Sequence, residues 1–204
     1  MSLVQSVLDE LWDFSDPAGS EARLRAAAEE STDAAYRAEL ETQVARALGL
    51  QERYDEADAV LDAVSGDSPV IGVRAALERG RLRNSSGDPD AAVPLFRAAA
   101  QQAASADLVF LRVDALHMLA IADADHADPW TTEALDVLDD AMEPRTLRWR
   151  VSLHNNAGWT RFDAGDFAGA ITEFEFAKDA ATRWGTPQQA KWADEALAEA
   201  RAAL

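Results

Sequence analysis

A single spacing pattern, repeated along the chain, constrains the fold more than any other feature. Gly80, Gly87-Asp88-Pro89, Ala92, Phe96 and Ala99 recur in the same register as Gly158, Gly165-Asp166, Ala170, Phe174 and Ala177. Each copy reads as a helix, a tight turn and a second helix. Gly165 suits the left-handed conformation that ends the first helix, and the Asp166 carboxylate can cap the second by accepting backbone N–H bonds. Pro89 stands at the first helical position, where its missing N–H costs nothing. The small residues Gly158, Ala170 and Ala177 let the two helices approach, and Phe174 fills the space between them.

Weaker copies precede and separate these two. Ala45 precedes Arg53-Tyr54, Ala57, Leu61 and Val64; Leu8 precedes Asp16-Pro17, Ser20, Leu24 and Ala27; Ala122 precedes Trp130, Ala134, Leu138 and Ala141. Second helices are predicted to start near residues 16, 53, 88, 130 and 166, and the longest interval contains a loop over 123–129. Such a period marks an array of hairpins, each burying an apolar face against the next. Composition agrees: 44 Ala against 10 Gly and 7 Pro favour helix, and few runs of Val, Ile, Thr and Tyr are left for strands. The expected class is all-α.

The pattern of a small residue in one helix, then Ala-x-x-x-Phe and a further small residue in the next, resembles the tetratricopeptide repeat family. The resemblance implies a right-handed α-α superhelix, or solenoid. It would hold about five hairpins, over 3–29, 33–66, 69–104, 107–142 and 145–184, in one domain spanning 1–204. Pro69 and Pro144 stand at or near the family's closing Pro. The family's early Trp is replaced by Val4, Glu41, Ala76, Met118 and His154, and Pro94 is expected to kink its helix or delay its start. A capping helix over 186–204 is predicted from Thr186-Pro187 and a stripe of Ala193, Ala196, Leu197, Ala200 and Leu204.

Charge narrows the function classes. Lys and Arg total 19 against 37 Asp and Glu, a net charge of −18, so a phosphate backbone would be repelled and nucleic acid is not an expected partner. No stretch approaches the length of a membrane span, and residues 1–14 carry no basic residue for a signal peptide. The absence of Cys excludes disulfides and thiolate chemistry, and a cytoplasmic protein is expected. An Arg-rich, Lys-poor and Ala-rich composition suggests a bacterial GC-rich genome. No phosphate loop, nucleophile elbow or zinc motif occurs. Asp123-Ala124-Asp125-His126-Ala127-Asp128 lacks the Gly and closing Glu of a calcium loop. No metal, cofactor or catalytic role is expected, with an enzyme or small-molecule sensor built on His126 and His154 as the remote alternative.

What remains is binding. The resemblance implies that first helices line a concave groove for a peptide. On this chain that face would hold Arg46, Arg74, Leu77, Arg81, Leu116, Leu119, Ser152, Asn155, Trp159 and Phe162. Arg donates paired hydrogen bonds to carboxylates, so the expected partner is an acidic or amphipathic protein segment. The plainer alternative is that these arginines pair with nearby acids such as Glu78 and Asp88, and that Trp159 and Phe162 are core. The competing expectation is a self-associating repeat protein, a homodimer formed through Val4, Val7, Leu8, Leu11 and Trp12, or a regulatory module of a larger system.

Overall fold

Local capping signals set the helix starts. In the computed structural model, which describes residues 5–204, three Asp carboxylates cap in the same way. Asp16, Asp88 and Asp166 accept from the backbone N–H of Gly19, Ala91 and Gly169, each three residues on. They open α2 (Pro17–Glu30), α6 (Pro89–Ser105) and α11 (Phe167–Trp184). Gly87 and Gly165 take the expected left-handed conformation in the preceding turns, at φ +89° and +79°. In the turn before α4, Glu52 occupies that conformation at φ +60°, at a steric cost a glycine would not bear.

The chain divides into two compact units, Met1–Met118 and Leu119–Leu204. In the first, α1 (Gln5–Leu11) and α2 are followed by α3 (Ala34–Gly49), α4 (Tyr54–Ala63), α5 (Pro69–Ser85) and α6. α7 (Val109–Ala122) runs across the division. α2 packs on α3, α3 on both α4 and α5, and α5 on α6. Leu8, Leu24, Leu40, Val44, Leu48, Leu61 and Leu82 form the core of this unit.

The second unit contains α8 (Ala127–Asp139), the single turn α9 (Pro144–Leu147), α10 (Trp149–Asp163), α11 and α12 (Pro187–Ala203). α11 packs between α10 and α12. Thr186 and Gln189 form a reciprocal capping box at the start of α12, whose Ala193, Ala196, Leu197 and Ala200 are buried as predicted. Leu204 lies past the helix end and is exposed, so it does not belong to that stripe. All described elements are helical, and no strand occurs among the described residues.

Two hairpins, α5–α6 and α10–α11, close through the same contact. A Cβ built on Gly80 would lie 2.4 Å from a Phe96 ring carbon, and one built on Gly158 would lie 2.4 Å from the same carbon of Phe174. The first helix can touch the ring only because it has no side chain there. Ala92, Phe96, Ala99, Ala170, Phe174 and Ala177 are all fully buried.

Two expectations change. Pro94 does not delay the start of its helix, since α6 runs from Pro89 to Ser105. Pro94 is exposed near the helix start, and Asp90, whose carbonyl loses its donor, is itself an exposed residue of the first turn. The predicted loop 123–129 is largely helical: a 3-10 turn at Ala124–His126 leads into α8 at Ala127. Pro129 falls in the first turn of α8, where no N–H is needed. The Asp123 carboxylate accepts from Trp130 Nε1–H at 3.0 Å and bonds His126 Nδ1 at 2.8 Å.

Candidate functional site: a buried charge network

Helical spacing puts polar residues in register on two neighbouring helices. Glu39, Gln43 and Arg46 lie on α3 at i, i+4 and i+7, on one face. Arg74, Glu78 and Arg81 repeat that spacing on α5, each 35 residues after its counterpart. Asp114 and His117 follow on α7.

These side chains meet in the first unit. Arg74 Nε lies 3.3 Å from Glu39 Oε2, linking α5 to α3. Arg81 donates from Nη1 to Glu78 Oε1 at 2.6 Å and from Nη2 to Asp114, linking α5 to α7. Glu39 and Glu78 are 1% exposed, Asp114 4% and Arg74 7%. Two guanidinium groups, those of Arg74 and Arg81, therefore meet the three carboxylates of Glu39, Glu78 and Asp114 largely out of water, and Arg46 adds a third positive charge at longer range. Ions so placed are tolerable only because each sign is matched.

The electrostatics are mutual. Burial alone would raise the Asp114 carboxyl, but Arg81, assisted by Arg46, outweighs it and holds the group below the usual carboxylate range. Burial would likewise lower Arg81, yet Asp114 and Glu78 keep its guanidinium above its ordinary value. Burial does pull Arg74 below its ordinary value, with Glu39 resisting. His117 is pulled down to about 4, first by burial and then by Arg81 and Arg46, against the attraction of Asp114. The imidazole is neutral at physiological pH.

Arg46 differs from its two neighbours. It is half-buried, and its guanidinium carbon lies 5.7 and 5.3 Å from the ring centroids of Trp12 and Phe14. Glu78 and Asp114 reach it only through their fields.

The residues expected to line a groove thus fall into distinct environments. Arg74 and Arg81 are internal ion-pair partners rather than free cations awaiting an acidic ligand. The Arg81–Glu78 pair anticipated from sequence forms, but in the interior. Leu77, Leu116 and Leu119 are core residues with no surface to offer. In the second unit, Trp159 and Phe162 pack edge-on, 5.4 Å apart, and both sit against the cluster of Phe174, Leu197 and Ala200. Ser152 and Asn155 on α10 are half-buried.

The apolar residues of α1 also turn inward. Leu8 is buried, and Val7, Leu11 and Trp12 pack against the first unit's core, so they do not form the exposed face expected for self-association. Val4 lies outside the described residues. His154 Nδ1 bonds Glu173 at 2.9 Å, and His126 is exposed beside Asp123. No cluster of three or more His, Cys, Asp or Glu suited to a metal occurs among the described residues, nor does a helix long and apolar enough to cross a membrane.

Glu39, Gln43, Asp114, His117 and Phe14 were not singled out from sequence. The signal was present, because three polar residues on α3 recur in register on α5 at the interval of the repeat itself. No family model matches this sequence, and no curated protein matches it.

Proposed function

We propose that the chain is a helical-repeat scaffold of the tetratricopeptide type, which holds a peptide or protein segment against the first helices of its hairpins. The observation that carries this reading is the twice-built closure of Gly80 on Phe96 and Gly158 on Phe174, each followed by a buried Ala three residues later. That geometry is what the resemblance in sequence implies. Proteins of that family use first helices as a binding face. Here the first helices of each unit retain half-buried polar groups, Arg46 on α3 in the first and Ser152 and Asn155 on α10 in the second, which can exchange hydrogen bonds with an incoming chain.

The test is capture of host proteins on the immobilised chain, read by mass spectrometry. An Arg46→Ala, Asn155→Ala variant serves as control, with circular dichroism confirming that its helix content is unchanged. A partner retained by the natural sequence and lost from the variant supports the reading. An identical set on both, or no specific protein on either, overturns it. Charge reversal at Arg74 or Arg81 is unsuited to this purpose, since it would break the interior.

A further inference from the structure

The α3–α4 hairpin is hollow at a place that the α10–α11 hairpin fills with its own side chains. In the register that sets Ala45, Ala57 and Leu61 against Gly158, Ala170 and Phe174, Glu41 answers to His154, Val60 to Glu173 and Ala63 to Phe176. On α10 and α11, His154 Nδ1 bonds Glu173 at 2.9 Å, and the Phe176 ring lies 5.2 Å from the imidazole. On α3 and α4 the ring and one polar partner are missing. A groove of about 540 Å³ opens there, walled by Ala34, Ala38, Ala59, Val60, Ala63 and Val64, with Glu41 also in its lining. Glu41 is half-buried and makes no hydrogen bond or ion pair among the described residues. Arg37, one turn earlier on α3, also lines the groove, but it is exposed and donates from Nη2 to the Ser31 carbonyl at 2.7 Å.

We propose that the α3–α4 groove is a binding site for a small arylalkylammonium ion, which supplies the nitrogen donor and the ring that this hairpin lacks. A carboxylate partly removed from water gains most from a charged N–H donor. The alanine and valine side chains leave room for a ring and give it apolar walls. The volume falls within the ordinary range of small-ligand pockets. A net charge of −18 also raises the concentration of cations near the surface, whereas an anion would be repelled by Glu41. The ligand is a free small molecule rather than a protein segment, so the site stands or falls apart from the scaffold reading.

The test is an NMR titration of the whole chain in about 0.15 M salt, which screens the general attraction of an acidic surface for cations. The methyl signals of Val60 and Val64 report on the groove, and the probes are 2-phenylethylamine, 2-phenylethanol and 3-phenylpropionate. The amine should shift these signals saturably, and the alcohol and the anion should bind at least about tenfold more weakly. Glu41→Gln keeps the side-chain shape but loses the charge, and should weaken amine binding at least about tenfold. Ala63→Phe, a change at an exposed position, should abolish binding by placing a ring where Phe176 lies in the other hairpin. No saturable shift with the amine, equal affinity for the alcohol or the anion, or unchanged affinity in Glu41→Gln would overturn the proposal. Should Ala63→Phe fail to fold, Glu41→Gln still decides the site. Tighter binding of N-acetyl-phenylalanyl-lysine amide than of the amine would give the groove to a peptide side chain and overturn the free-ligand assignment.

Discussion

Replacing Arg81 by Met measures how much the buried network holds α5 to α7. The Arg81 side chain is 13% exposed, and its partners Glu78 and Asp114 are more deeply buried. Met keeps an unbranched apolar stem but removes the charge, leaving two carboxylates buried with one cation too few. Breaking a buried pair by removing one partner costs about 3–5 kcal/mol. Two pairs share this cation, but such losses do not add, and the field of Arg46 offsets part of the imbalance. The expected loss is therefore at the lower end, about 3 kcal/mol. For a chain of this length each kcal/mol moves Tm by about 2–4 °C, so Tm should fall by about 6–12 °C. Thermal melts at pH 7, followed by the helical circular dichroism signal, read this directly. Adding Glu78→Leu and Asp114→Leu to Arg81→Met removes the stranded charges, and this triple variant should recover most of the loss. A single variant melting within about 2 °C of the natural sequence, or a triple variant no more stable than the single, would refute the view that matched burial holds these helices.

Two further outcomes follow from the same geometry. His117 has its imidazole pulled from the ordinary 6.5 to about 4, so the unfolded chain binds a proton the folded chain refuses. Stability should then fall as pH drops from about 6.5 towards 4, by at most about 3 kcal/mol. His117→Gln should flatten the decline of Tm between pH 7 and 5.5, and parallel declines in both proteins would count against this account. Gly158→Ala drives a methyl group to within 2.4 Å of the Phe174 ring and should cost about 1–3 kcal/mol in urea unfolding. Phe174→Leu in the Gly158→Ala background should then be less harmful than in the natural sequence, and strict additivity of the two changes would contradict the contact.

The sequence by itself determined the hairpins, because their signals are local. An Asp that caps three residues on, a Gly that ends the preceding helix and an Ala-x-x-x-Phe spacing act within one turn or across one hairpin. They placed α2, α6, α11 and α12 closely. Where a local signal had two readings, it misled: Pro94 and Pro129 suggested interruptions, yet each lies near a helix start, where the missing N–H is harmless. Leu204 matched its stripe in spacing but falls beyond the last helical turn. Only the tertiary structure decided what the first-helix charges do. Arg74 and Arg81 looked like surface cations because composition records charge without its partners. Their partners are Glu39, on α3 one repeat earlier, and Asp114, on α7 one repeat later. Burial makes those pairings obligatory, since an unmatched ion out of water costs more than an exposed pair can return. The distinction between Arg74 and Arg81 as internal ion-pair partners and cations on the surface therefore arises from three-dimensional neighbours and solvent exclusion, which no spacing along a single helix encodes.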